Sequence, residues 1–336
     1  MTLRPFLKNF PLILLVFLIA CGYETEFPAD SAAECYDDEI YDAEAGVCYL
    51  ACVDDGTCEE GDFFGLIGEV FGDIGSIVFS DGEGEALIVY DVNGDSLGDA
   101  ELFEAVTDQD FEIQEDEALH EDVWQTFVTL IPTDDREYLS QYGVFTDGEG
   151  ETMAYVEPDP EDPTQWRMVI DVLDTENQRD FIYTLLHEYA HILTLNDGQV
   201  PFDEDVYFSD DESIYEEAAE ACATFFTGEG CALPDSYMNA FFQQFWTEIY
   251  DQNQAIDPEN YDGLYDFYLD YEDQFVSDYA ATNPGEDIAE SWTAFILQQK
   301  PTGNSIADQK ILFFYDYPEL VEMRNEILPS VYELSR

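Results

Sequence analysis

Between Phe181 and Leu195 the chain reads FIYTLLHEYAHILTL, apolar residues at helical spacing that leave almost no polar face. A helix that is hydrophobic nearly all round has to be buried. Yet this one carries His187, Glu188 and His191. The two histidines lie four apart and so project from the same face, one turn from each other. Two imidazoles and a carboxylate inside a core are costly without a partner, and a divalent metal ion such as zinc supplies one. The chain has only 3 histidines, so a chance match to this spacing is rare. Two histidines do not complete such a site, so the fold must also deliver a further ligand from elsewhere. The third histidine, His120, stands among Glu117, Glu121 and Asp122 and reads as a solvated residue on a polar face.

The surrounding sequence is extremely acidic, with 78 Asp+Glu against 9 Lys+Arg over 336 residues and a formal net charge of −69. A polyanion of this kind repels phosphate backbones, which excludes nucleic acid as a partner. The charge suits either high salt or a divalent-cation-rich medium outside the cell, and charge alone does not separate the two. With 46% hydrophobic and 15% aromatic residues the chain can still build a large core.

Residues 1–20 combine basic Arg4 and Lys8 with an apolar run too short to span a bilayer, the pattern of a secretory signal. Leu18-Ile19-Ala20-Cys21 resembles the lipobox of bacterial lipoproteins. That resemblance implies an acylated Cys21 as first mature residue and an exported protein held at the cell envelope by a lipid anchor in the membrane. Six further cysteines, Cys35, Cys48, Cys52, Cys58, Cys222 and Cys231, suggest disulfides in an exported chain. The first four crowd into a short Asp/Glu/Gly-rich module and lack the paired CxxC knuckles of a zinc ribbon. Cys222 and Cys231 flank the turn Thr227-Gly228-Glu229-Gly230, which brings them within bridging distance.

Three parts follow: the signal, a lipid-anchored tether and Cys-rich module over 21–61, and a main domain over 62–336. Within the last, 62–178 is strand-rich and 179–336 helical. Expected elements are a Gly-broken helical stretch at 63–79, a strand at 86–92, a helix at 115–131, strands at 138–145, 152–157 and 166–173, the apolar helix at 181–195 and a helix at 214–226. Mixed strands first and helices later point to an α+β fold. Asp91-Val92-Asn93-Gly94-Asp95-Ser96-Leu97-Gly98-Asp99 resembles the start of an EF-hand-type calcium loop, with Ser96 where glycine belongs and Leu102 where glutamate belongs. A turn with solvated acids is the competing reading.

For the missing ligand, the segment from Ser277 to Trp292 stands out. Thr282 or Asn283 can cap a helix with Pro284 in its first turn, and Glu286 and Glu290 then share a face. Glu216, Glu217 and Glu220 are the rival acids.

His187-Glu188-x-x-His191 followed by a distant glutamate is the gluzincin pattern, and Tyr279 with Glu286 and Glu290 resembles the second half-site of lethal-factor-type catalytic domains and of bacterial zinc-peptidase lipoproteins. The resemblance covers residues 180–300. It implies a zincin-like fold with an edge strand that aligns substrate, provided by 152–157 or 166–173. It also implies zinc held by His187, His191 and Glu286, with Glu290 behind a ligand histidine. Peptide bonds of a protein or peptide substrate would be hydrolysed through a zinc-activated water, with Glu188 as general base and Tyr279 hydrogen-bonding the oxyanion. Two other functions remain open: a non-catalytic surface protein stabilised by zinc, and a surface binding module dependent on Ca2+ at 91–99.

Overall fold

The computed structural model describes residues 39–42, 47–50, 86–148, 152–209, 211–258 and 260–335. The chain divides into two units after Tyr49. In the first region, strands β1 (Glu39–Asp42) and β2 (Val47–Leu50) form a two-stranded sheet. The signal, Cys21, the helical stretch at 63–79 and the side chains of Cys35, Cys48, Cys52 and Cys58 lie outside what is described. No helix among the described residues is long and apolar enough to cross a membrane.

The larger unit is α+β, with a five-stranded mixed sheet and a mostly helical C-terminal half. Its strands are β3 (Ile88–Asn93), β4 (Ser96–Leu102), β5 (Leu139–Phe145), β6 (Ala154–Pro158) and β7 (Trp166–Asp171), in the spatial order β4-β3-β5-β7-β6. Only β5 and β7 run parallel, and these central strands are the most buried. β6 pairs antiparallel with β7 and forms one edge. Of the two candidate edges, then, the 152–157 segment is the one at the border, and 166–173 is interior.

Residues 91–99 form the β3–β4 hairpin. Asn93 pairs with Ser96, leaving a two-residue turn in which Gly94 takes φ +63°. Asp95 is committed to Arg136 and Thr133. The expected helix at 115–131 forms as α2 (Glu117–Leu130), capped by the Asp116 side chain, and a further helix that was not expected, α1 (Asp108–Glu115), precedes it. His120 on α2 is fully buried, contrary to the solvated reading. Its Nε2–H donates to the Ile113 carbonyl at 2.9 Å, so Nδ1 accepts from the Tyr90 hydroxyl at 2.8 Å. Burial holds this imidazole below its ordinary pKa, and with both nitrogens satisfied it is a neutral core residue.

The apolar helix forms as α3 (Gln178–Leu195), capped by the Asn177 side chain on the N–H groups of Arg179 and Asp180. It packs against β6 and against a second buried helix, Pro284–Leu297. Short helices lie between: α4 (Glu204–Tyr207), α5 (Glu212–Ala221), α6 (Tyr237–Phe245), α7 (Tyr250–Asn253) and α8 (Tyr261–Asp270). The Pro284–Leu297 helix is α9, followed by α10 (Ile306–Phe313) and α11 (Pro318–Leu334). The 214–226 expectation runs too long, because α5 stops at Ala221 and the chain turns into the Cys222–Cys231 disulfide loop.

Two of the chain's nine Lys+Arg are committed to α9. Lys310 and Asp287 are both fully buried and 2.6 Å apart, with the Trp246 indole N–H donating to the same carboxylate oxygen at 2.7 Å. The fully buried Arg324 donates to the carbonyls of Phe295 and Gln298, where the helix leaves acceptors unpaired and its dipole favours a cation. Lys310→Met leaves the Asp287 carboxylate buried without its counter-charge and is expected to cost about 3–5 kcal/mol of unfolding free energy. Urea denaturation reads the loss; a cost under about 1 kcal/mol would show that Asp287 does not depend on Lys310.

Candidate metal centre

The cap on α9 sets the geometry of the centre. Asn283, rather than Thr282, accepts from the N–H groups of Gly285 and Glu286 at 2.8 and 3.1 Å, with Pro284 in the first turn. Asn253 donates to the carbonyls of Ala281 and Thr282 just before it, at 3.1 and 3.0 Å. The start of α9 is thereby tied to α7, and Glu286 meets the two histidines.

Nε2 of His187 lies 3.0 Å from Oε2 of Glu286 and 3.1 Å from Nε2 of His191, which is 3.4 Å from the same glutamate oxygen. Metal–ligand bonds of about 2.0–2.1 Å at tetrahedral angles put ligand atoms about 3.3 Å apart. The triangle therefore has the size that a tetrahedral zinc ion needs for three protein ligands. Glu216, Glu217 and Glu220 are exposed on α5 and take no part in this cluster.

Behind the triangle, Nδ1 of His187 lies 2.9 Å from Oε1 of Glu290. The Tyr183 hydroxyl meets both Glu290 oxygens at 2.9 Å, and Ser277 donates to Oε2. A carboxylate on Nδ1 makes that nitrogen the N–H donor and leaves Nε2 as the ligand atom. Tyr183 and Ser277 were not among the expected site residues. Tyr183 stands one turn before His187 on the same face, a spacing that marks it as a neighbour.

Electrostatics follow from burial and crowding. Desolvation alone would lower His187, but Glu286 and Glu290 outweigh it and push its pKa up to about 10. Burial would raise Glu286, yet His191 and His187 hold it far below the usual carboxylate range. Glu188 is buried too, and desolvation lifts it to about 7 against the pull of the two histidines and of the Val156 N–H on β6. A dication among these groups would take the place of the His187 proton and draw Glu188 down.

A cleft of about 450 Å³ is lined by His187, Glu188, His191, Glu286 and Tyr279 beside Ala154 and Val156 of β6. Tyr279 stands on a single turn, Tyr279–Ala281, with its ring centroid 5.8 Å from that of His187. Cys222 and Cys231 are joined, as expected, and their loop contributes to the cleft. A second group, Asp147, Asp171 and Asp174, is all-carboxylate, and both oxygens of Asp171 already accept from the N–H groups of Leu173 and Asp147. No protein family, curated protein or solved structure matches the chain.

Two measurements test the cluster as a zinc site. His187 must shed its proton to offer Nε2, and it holds that proton up to about 10, so zinc affinity should rise with pH. The expected slope is about one log unit per pH unit between about pH 7 and 8.5, with about one proton released per ion, read by titration calorimetry in buffers of different ionisation enthalpy. An affinity that ignores pH over this range would show that His187 does not hold its proton so tightly in the metal-free site. Glu290→Gln should keep the site but weaken zinc by about 10–100-fold in chelator competition, and an unchanged affinity would deny Glu290 its orienting role.

Proposed function

We propose that the chain is an exported, lipid-anchored zinc peptidase of gluzincin type, with a zincin-like domain over 62–336. One observation carries the reading: three ligand atoms with edges of 3.0, 3.1 and 3.4 Å share an open cleft with a buried carboxylate raised to about 7. A structural zinc site is closed by a fourth protein ligand, whereas a hydrolytic one keeps three and leaves a position open to the cleft.

His187, His191 and Glu286 would hold the ion, and Glu290 would fix the orientation of His187. Bound there, zinc would acidify a water and polarise a scissile carbonyl. Glu188 is the general base: it takes the proton from the attacking water and returns it to the leaving amine. Its pKa of about 7 in the metal-free cleft reflects desolvation, and the Val156 N–H steadies its charged form. Tyr279, on the same cleft, is the phenol assigned to the oxyanion.

The border strand supports a peptide as substrate. An extended chain can add to a free strand edge through backbone hydrogen bonds, with alternate side chains turned into the cleft. β6 offers such an edge, and its Val156 is tied to the base. A substrate on this strand is positioned by the same backbone that positions Glu188.

The Glu188→Gln variant should retain stoichiometric zinc and lose hydrolysis by a factor of at least about 10²–10⁴. The assay is zinc-dependent, chelator-sensitive cleavage of a denatured protein mixture, with products read by mass spectrometry. Full activity in the variant would refute the base, and zinc without cleavage in the parent would leave a zinc-stabilised surface protein.

A further inference from the structure

One wall of the cleft is built by the loop that the Cys222–Cys231 disulfide closes. Phe226 and Cys231 pair as an isolated bridge, Thr227 N–H bonds the Gly230 carbonyl at 3.0 Å, and Gly228 takes φ +102° at the tip. Gly230 is pressed onto Pro201, whose carbonyl oxygen would lie 2.3 Å from any Cβ added there. The Asp203 N–H bonds the Glu229 carbonyl at 3.3 Å. These backbone contacts, the disulfide and the Thr227 hydroxyl, which accepts from the Glu229 N–H at 3.4 Å, set where Glu229 stands.

The Glu229 carboxylate is half-buried and lines the cleft together with His191. Burial raises its pKa against the pull of His191, and its charge acts in turn on Tyr207. Among the described residues it takes no ion pair and accepts no side-chain hydrogen bond; the Lys and Arg pairs belong to Asp95, Glu157 and Asp287. Aromatic rings surround the loop. Tyr215 reaches within 3.8 Å of the Cβ position of Gly228 and meets Phe226 edge-on at 5.0 Å, while Phe225 meets Tyr250 at 5.7 Å. A half-buried carboxylate without a partner is costly, and ring faces beside it attract cations.

We propose that Glu229 selects peptides by pairing with a lysine or arginine side chain of the substrate in this aromatic-walled part of the cleft. The inference rests on the peptidase reading and adds to it a substrate class. A neutral lipid or an acidic peptide would leave the carboxylate desolvated and unpaired, whereas a basic side chain gains both the ion pair and the rings. A fully exposed acid keeps its hydration and gains little from such a pair.

The test uses the full-length, zinc-loaded protein and three peptides that differ at one position: lysine, norleucine or glutamate. Position scanning through a mixture of cleavable peptides first identifies the residue, at a fixed distance from the cut, where basic side chains are enriched. Lysine should exceed norleucine there in kcat/KM by at least about tenfold. In Glu229→Gln that ratio should fall to about one, and Glu229→Lys should favour the glutamate peptide. A reversal of preference cannot come from misfolding. Equal rates for lysine and norleucine in the parent, or a lysine preference that survives both substitutions, would overturn the inference while the peptidase reading stands. If the parent cleaves nothing, fluorescence anisotropy of the same labelled peptides on the zinc-loaded protein still decides it. Lysine-selective binding that Glu229→Lys inverts upholds the subsite; unselective binding or none overturns it.

Discussion

Five ionisable side chains share one buried seam between α3 and α9: His187, Glu188 and His191 from the first, Glu286 and Glu290 from the second. Both helices are buried along most of their lengths, so water reaches these charges only from the cleft. With neutral imidazoles the seam would hold three carboxylates and no cation, an arrangement that a low-dielectric interior does not tolerate. The protein answers in layers. Glu290 accepts hydrogen bonds from Tyr183, Ser277 and His187, while Glu286 leans on both histidines. What remains is a demand for positive charge at the point where three lone pairs converge, and a proton on His187 meets it in part. A dication meets it more fully, which is the physical ground for reading the seam as a metal centre.

Holding that seam requires α9 to be immovable, and the chain commits its scarcest resource to the task. Against 78 acids it has only 9 Lys+Arg, yet Lys310 and Arg324 are fully buried, one beside Asp287 and the other at the C-terminal carbonyls of α9. Asp287 follows Glu286 directly, so the two carboxylates leave the helix on different faces. One is anchored to the core and the other is thereby aimed at the histidines. At the N-terminal end, Asn283 and Asn253 do the same work with neutral hydrogen bonds. Polar groups buried this thoroughly cost stability relative to an apolar core, and their return is a fixed geometry.

Much of this was legible in the residues because local rules govern it. The histidine pair, the Pro-capped start of α9, the common face of Glu286 and Glu290, and the Cys222–Cys231 bridge all depend on spacings of a few residues. Strand and helix order gave α+β for the same reason. The misreadings were of partners distant in sequence. His120 carries acidic neighbours along the chain, but Tyr90 and Ile113 come from elsewhere and make a core position of it. For Asp91–Asp99, where composition left a cation loop and a turn both open, pairing of Asn93 with Ser96 makes a hairpin turn and Arg136 takes Asp95. Lys310 and Glu229 bear charges that composition reads as surface, and only tertiary packing buries the one and lodges the other in a cleft. The choice of edge strand, too, was beyond local reading, since β7 enters the sheet between two strands that precede it in the chain.

The cleft joins elements of unequal rigidity into one frame. α3 and α9 supply the triangle from deep in the core, β6 supplies the border, and a disulfide-closed loop supplies the far residues of the wall. These parts are connected where chemistry would need them to be: the Val156 N–H bonds Glu188, so base and border strand share a fixed distance. Gly230 against Pro201 ties the loop to the chain that leaves α3. On the proposed reading, a bound peptide would touch β6 with its backbone and the loop with a side chain, while its scissile bond faced the triangle. Each contact is referred to α3, directly or through one neighbour, so placing any one of them constrains the other two. Such shared reference is what lets remote binding contacts hold a reacting bond in place, because a misfit at the wall would displace the bond from the base.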